Sequence, residues 1–325
     1  MIMVTGGAGF IGSHIVRELV NEGEDLLIYD KSLDEDRKQI IELRLSDIVD
    51  RITMASGDIC NYSELVNTAK KYGISQVVHA AAAAFIPEAA KEPRKTIQIN
   101  VEGTLNVLEM SRKSNVDRFL FVSSASVYGE AEYSPIDETH PLNPVDVYGV
   151  SKLAGEKLTL MYSKTHGLKT TIVRPTSVYG PGELYGRVLK LFIENALTGK
   201  ELQVHGGGEQ ERDFTYVSDT ARGIVLALLS DKAIGEAFNI SAGNAHPIKE
   251  TIEIIREFIP NVKVKITPSR QACVPKRYLD ITKARKLLRY EPKYDLKAGI
   301  REYVKWIAEK YAPRVGLQIK NEPLI

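Results

Sequence analysis

Six short apolar runs, separated by helix-like segments, constrain what the first half of this chain can fold into. IMVT (2–5), DLLIYD (25–30), ITMASGD (52–58), QVVHAAA (76–82), RFLFVSS (118–124) and TTIVRPT (170–176) have the length and composition of buried strands. Between them, FIGSHIVRELVNEG, SELVNTAKKYG, NVEGTLNVLEMSRKSN and YGVSKLAGEKLTLMYSKTHG carry apolar residues at helical spacing. Such alternation predicts an α/β fold: a doubly wound parallel sheet with helices on both faces, whose ligands bind at the carboxyl ends of the strands.

The first of those strand ends reads TGGAGFIGSH (5–14). Gly6, Gly9 and Gly12 permit a tight turn, close approach of a pyrophosphate to the backbone, and close packing of helix on strand. The helix N-terminus adds free N–H groups and a favourable dipole. The spacing is G-x-x-G-x-x-G, and in this setting it predicts a Rossmann-type dinucleotide domain. Asp30 ends the second run, where a carboxylate accepts hydrogen bonds from ribose hydroxyls and repels a 2′-phosphate, favouring NAD over NADP. Lys31 adjoins it and is the cation that would partner such a phosphate. Asp58 ends the third run, placed either to meet an adenine edge or to act as a strand-end cap.

VYGVSK (147–152) sets Tyr148 and Lys152 one helical turn apart, on one face. A phenol is a poor base at neutral pH, and a neighbouring ammonium favours its phenolate. Alone, the pair reads equally as a reactive tyrosine or as a surface Tyr/Lys contact.

With TGGAGFIG, Asp30, GDI (57–59), SSASVYG (123–129) and YGVSK in this order, the chain resembles the extended short-chain dehydrogenase/reductases. Within them it is most similar to the nucleotide-sugar epimerase/dehydratase branch. The resemblance extends through NVEGTLNVLE (100–109), RPTSVYGPG (174–182) and RDFTYVSDTARGI (212–224). It implies a bound NAD, a Ser–Tyr–Lys catalytic group and a homodimer formed through a bundle of helices. By position it implies Ser124 as the catalytic hydroxyl, Tyr148 as the acid/base and Lys152 as its partner. Phe10, Ile11, Ile59, Ala80, Ala81, Ala82, Asn100, Ser123 and Pro175 join the glycines and carboxylates named above around the cofactor. Asn100 reads as a helix-opening cap, and His79 as a packed histidine.

The chemistry is coherent. Removing hydride from a secondary alcohol requires loss of the hydroxyl proton, so a base must touch that oxygen. Tyr148 acting near pH 7 needs a pKa lowered by roughly 3 units, about 4 kcal/mol in favour of phenolate. Lys152 and the positive nicotinamide ring together are the expected source.

Beyond about residue 175 the chain is richer in turn formers. The expected division is 1–174 plus about 213–240 as the NAD domain, with 175–212 and 241–325 as a smaller α/β lobe over the substrate. A diphosphate substrate needs cations or N–H groups; Arg212 is the first candidate, with Arg270 and Arg277 competing for a second place. Ser126 and Ser177 are further substrate candidates. Ser177 stands where the family usually has asparagine, which departs from the pattern of an ordinary uridine-diphosphate sugar enzyme.

Other properties narrow the class. Forty-three basic against forty-two acidic residues leave a charge of +1, which gives no support to a nucleic-acid partner. Two distant cysteines, Cys60 and Cys273, predict a reducing, cytoplasmic setting without a disulfide framework. No basic leader and no long apolar run point to a membrane, and no histidine spacing points to a metal. Dehydratases of this branch place Thr-Asp-Glu where this chain has Ser124-Ala125-Ser126, so water elimination lacks its carboxylates. The minimal Ser–Tyr–Lys set leaves a nucleotide-sugar 4-epimerase of the UDP-glucose/UDP-galactose kind. An NAD(P)-dependent alcohol dehydrogenase or ketone reductase is the alternative, and a non-catalytic NAD-binding protein stands behind both.

Overall fold

A computed structural model describes residues 1–33, 38–268 and 278–324. Seven parallel strands form the central sheet: β1 (Ile2–Thr5), β2 (Leu26–Asp30), β3 (Thr53–Ser56), β4 (Gln76–His79), β5 (Arg118–Val122), β6 (Thr170–Pro175) and β7 (Ala237–Ile240), in the order β7-β6-β5-β4-β1-β2-β3. The six runs read from the sequence are the first six strands. Several end one to three residues early, because the chain leaves the sheet at its carboxyl edge to build the site.

Alternation along each strand distributes the core. Ile2 and Val4 of β1 pack to one face with α1 (Phe10–Asn21), while Met3 between them packs to the other. The first face is covered by α1, which lies on a helix at Val217–Leu229. The second is covered by helices at Tyr62–Tyr72, Gly103–Lys113 and Val147–His166. A further apolar core lies outside the sheet, where Leu189, Phe192 and Ile193 meet Ile252, Ile255, Tyr303 and Trp306. Phe214 and Tyr216, from the segment that leads back toward β7, also pack into it.

Among the described helices none is long and apolar enough to cross a membrane. Cys60 is a free thiol; Cys273 lies outside the described residues.

Candidate active site

Strand order reverses at β1, which has β2 on one side and β4 on the other. The crevice opens there. Gly6 turns the chain with φ +71°, and a Cβ on it would lie 2.6 Å from the Ala81 backbone, so no side chain fits between these two strand ends. Gly9 then starts α1, which has no acidic residue in its first turn, leaving its N–H groups and dipole available to an anion. The cavity above them, about 470 Å³, is lined by Gly6, Gly9, Phe10, Ile11 and Gly12, by Asp30 and Lys31, by Asp58 and Ile59, and by Ala80–Ala82. Arg44, Phe85, Tyr185 and Arg187 complete the wall.

Asp30 is held in place from both sides. Its Oδ2 accepts from the Ala8 N–H at 3.1 Å, and its Oδ1 from the Ser32 N–H and hydroxyl at 2.9 and 2.7 Å. The carboxylate is thus anchored beside the glycine loop. Asp58 serves as a cap for the Cys60 N–H at 2.9 Å while still facing the cavity.

The neighbouring helix explains the catalytic geometry. Asp146 caps it by accepting from the Gly149 N–H at 2.7 Å, and Gly167 ends it in the left-handed region. Gly149 lets the 124–128 turn come close: a Cβ there would lie 2.7 Å from the Ser126 carbonyl oxygen. Tyr148 is therefore brought against Ser124. Ser124 accepts from the Ser126 N–H at 3.1 Å and donates to the Ser126 hydroxyl at 3.2 Å.

The electrostatics differ from the expectation for Tyr148. Burial raises its pKa above the usual phenol value, and Ser124 and then Arg187 pull in the other direction. Lys152 is itself desolvated: burial lowers its ammonium to about 7, opposed by the Glu156 charge. A lysine so desolvated is a weaker source of positive charge for the phenolate than the sequence suggested.

Lys152 sits with its ammonium 4.3 Å from the centre of the Phe121 ring. One turn on, Glu156 forms a buried bidentate pair with Arg174 at 2.9 and 2.7 Å and accepts from the Ser123 hydroxyl at 2.5 Å. Ser123 is consequently turned away from the cavity and into this ion pair. Asn100 differs from its expected role as a helix-opening cap. It lies inside a continuous helical stretch, in a π-helical turn at Gln98–Glu102, and its amide grips Ala83 by both backbone groups and the Ser151 hydroxyl. It thereby ties the Ala80–Ala84 strand exit to the helix of Tyr148 and Lys152. His79 is packed, bonded to Thr5 and Thr104 and pushed down to about 3 by burial.

The substrate candidates are less concentrated. Ser177 adopts φ +38°, a conformation asparagine tolerates better than serine. Pro175 ends β6 opposite Ile240. Arg212 lies on a short strand at Glu211–Arg212 and donates to the Glu211 carbonyl at 3.0 Å; like Ser124, Tyr148 and Lys152, it is not among the residues lining the cavity. Arg270 and Arg277 lie outside the described residues. No cluster of metal-ligating side chains occurs among the described residues.

Of the wall residues named above, Arg44, Phe85, Tyr185 and Arg187 went unread in the sequence. Arg44 and Arg187 bond backbone carbonyls, and no spacing rule marks such partners. Glu156 also went unread, although its place four positions after Lys152, on the same helical face, was a signal that could have marked it.

Comparison with known proteins gives the family of the chain. The model of the NAD dependent epimerase/dehydratase family matches residues 2–241. A Methanocaldococcus jannaschii protein with the provisional name UDP-glucose 4-epimerase is 36% identical over 94% of this chain and 98% of its own. The UDP-glucose 4-epimerase of Thermotoga maritima, solved with UDP-glucose, superposes with a TM-score of 0.86 at 30% identity, covering 95% of this chain and 99% of that one. The Bacillus cereus UDP-glucuronic acid 4-epimerase, solved with UDP-glucuronic acid and NAD, gives 0.84 at 30% identity over the same shares.

Proposed function

Because the chain belongs to the NAD-dependent epimerase/dehydratase family, an enzyme family, we propose that it is a nucleotide-sugar 4-epimerase, of the UDP-glucose/UDP-galactose kind. The observation that carries this reading is the juxtaposition of Ser124, at the turn after β5, with Tyr148, whose helix also carries Lys152, together with Ser-Ala-Ser in place of catalytic carboxylates at 124–126. NAD is the cofactor, and the residues present fit it: a free helix N-terminus, a glycine loop without side chains and an anchored Asp30.

NAD, held by the glycine loop, the start of α1 and Asp30, would supply the hydride acceptor and donor for the sugar C4. The chain handles the proton and the positions. Ser124 hydrogen-bonds the C4 oxygen. Tyr148 accepts the hydroxyl proton as the C4 ketone forms and gives it back on reduction. Lys152 holds the nicotinamide ribose and contributes positive charge beneath the phenol. Turning the ketone over needs no further side-chain acid or base.

Arg187 favours a second substrate within the same reaction. Its charge reaches Tyr148, it lines the cavity, and the protein contact of its Nη1 is the Val178 carbonyl at 3.3 Å. A guanidinium so placed suits a sugar carboxylate, and the Bacillus cereus neighbour was solved with UDP-glucuronic acid.

The test is to incubate the protein separately with UDP-glucose and UDP-glucuronate. Interconversion with the 4-epimer, and no net change in nicotinamide absorbance, is expected. Stoichiometric NADH formation would instead identify a dehydrogenase. Arg187→Met should cost uronate turnover about ten- to a hundredfold more than glucose turnover if the carboxylate is read there, the worth of a hydrogen bond to a charge. We further infer a homodimer, in which the exposed apolar faces of the helices at Gly103–Lys113 and Val147–His166 meet those of a second copy.

A further inference from the structure

Arg44 is a buried cation with neutral partners. It is 6% exposed, on a helix at Lys38–Leu45 that follows Asp30. Its Nε donates to the Gly182 carbonyl at 2.9 Å and its Nη1 to the Ala8 carbonyl at 2.8 Å. The two carboxylates nearest in influence, Asp30 and Glu183, are engaged elsewhere. Asp30 holds Ala8 and Ser32; Glu183 holds the Tyr185 N–H and the Tyr303 hydroxyl. Burial accordingly weakens its hold on its proton.

A guanidinium taken out of water without a counter-ion is costly to a fold. Two backbone carbonyls satisfy two of its N–H groups, and among the described residues the rest of the fork has no protein acceptor. The same side chain lines the cavity wall beside Gly9, Phe10 and Ile11, where the start of α1 presents N–H groups to an anion. Lys31 and Lys95 also line this cavity, but both are exposed, and Lys95 is paired with Glu92 at 2.8 Å. The buried charge is at Arg44.

We propose that Arg44 is a cofactor-binding residue, whose guanidinium neutralises the diphosphate of the dinucleotide on the glycine loop while strapping that loop, at Ala8, to the segment at Gly182. The bound cofactor supplies the counter-ion that the protein withholds. Tyr185 and Arg187, three and five residues beyond Gly182, line the same cavity. The proposal concerns NAD alone. Failure to turn over any nucleotide sugar would sink the epimerase reading and leave this one standing.

The experiment uses the full chain stripped of nucleotide, as wild type, Arg44→Met and Arg44→Lys. NAD affinity is measured by calorimetry at low and high salt, and thermal unfolding is followed with and without NAD. Arg44→Met should bind NAD about ten- to a hundredfold more weakly, the effect of one charged hydrogen-bonding group, with Arg44→Lys between it and wild type. Its affinity should respond less to salt than that of the wild type. Without NAD, Arg44→Met should melt at or above the wild-type temperature, since a buried uncompensated charge is gone. NAD affinity within about twofold of wild type, or a nucleotide-free protein as destabilised as the loaded one, would reduce Arg44 to a structural strut and overturn the proposal. Should Arg44→Met fail to fold, the lysine variant decides: unchanged NAD affinity and an unchanged salt response count against the diphosphate contact.

Discussion

Lys152 shows how the environment sets the working range of a single side chain. Phe121 lies under its ammonium, Glu156 favours the charge from the next turn, and His79, on the same face of the sheet, is held neutral. Desolvation still prevails and leaves the lysine at about 7. With a folded pKa below the ordinary value, it is charged only below about 7. As pH rises through neutrality it therefore loses the charge that supports the Tyr148 phenolate and the ribose contact. Turnover should fall on the alkaline side, and in the residual activity of Lys152→Arg, which cannot deprotonate there, that fall should be absent. An identical alkaline limb in both proteins would assign it to another group. Tyr148→Phe should lower turnover about a thousandfold, the usual worth of a positioned acid/base, with NAD binding and melting temperature unchanged. Turnover that survives this substitution would remove the phenol from the mechanism.

At the scale of elements, the site depends on how closely the Val147–His166 helix approaches β5. A Cβ at Gly155 would stand 2.4 Å from Cζ of Phe121, the ring beneath Lys152. Gly155→Ala gains about 1 kcal/mol of helix propensity and loses about 1–3 kcal/mol to overpacking, so the loss prevails. A lower melting temperature with weaker turnover is expected; a protein that melts higher would show that helix and strand have room to part. Five of the six strands were legible in the sequence because both of their faces are buried, which writes them as largely apolar runs, whereas β3 at the sheet edge has alternate residues exposed. The segment before Gly103 was not legible. Asparagine is a good cap, so Asn100 reads as a helix start, yet the helical path begins earlier, at Pro93, and the asparagine amide is spent on Ala83. In the site, the Tyr148–Lys152–Glu156 face follows from helical spacing. Arg44 does not, since its partners lie 36 and 138 residues away in sequence and are carbonyl oxygens that any residue carries.

For the whole molecule, the covering helices leave apolar surface that the fold itself does not use. Val145 is 71% exposed and Val150 48%, and with Ile97 and Pro93 they line one groove. Leu105, Leu160 and Met161 are also exposed on these helices. Isolated apolar residues on a surface need no partner, but several on adjoining helices form the kind of patch that association covers. A second copy is the simplest occupant, because a two-fold axis lets one patch meet itself. The joint variant Val150→Lys, Leu160→Lys places four like charges across such an axis, where desolvating them is unfavourable. Sedimentation should show a wild-type dimer and a variant monomer, with NAD affinity equal in both, since Gly6, Asp30 and Arg44 lie in the cavity wall and not in this groove. A wild-type protein that sediments as a monomer at micromolar concentration would remove the dimer. A variant that remains dimeric would move the contact to another face, and Tyr148 and Lys152 would then sit on a helix that faces solvent on its far side.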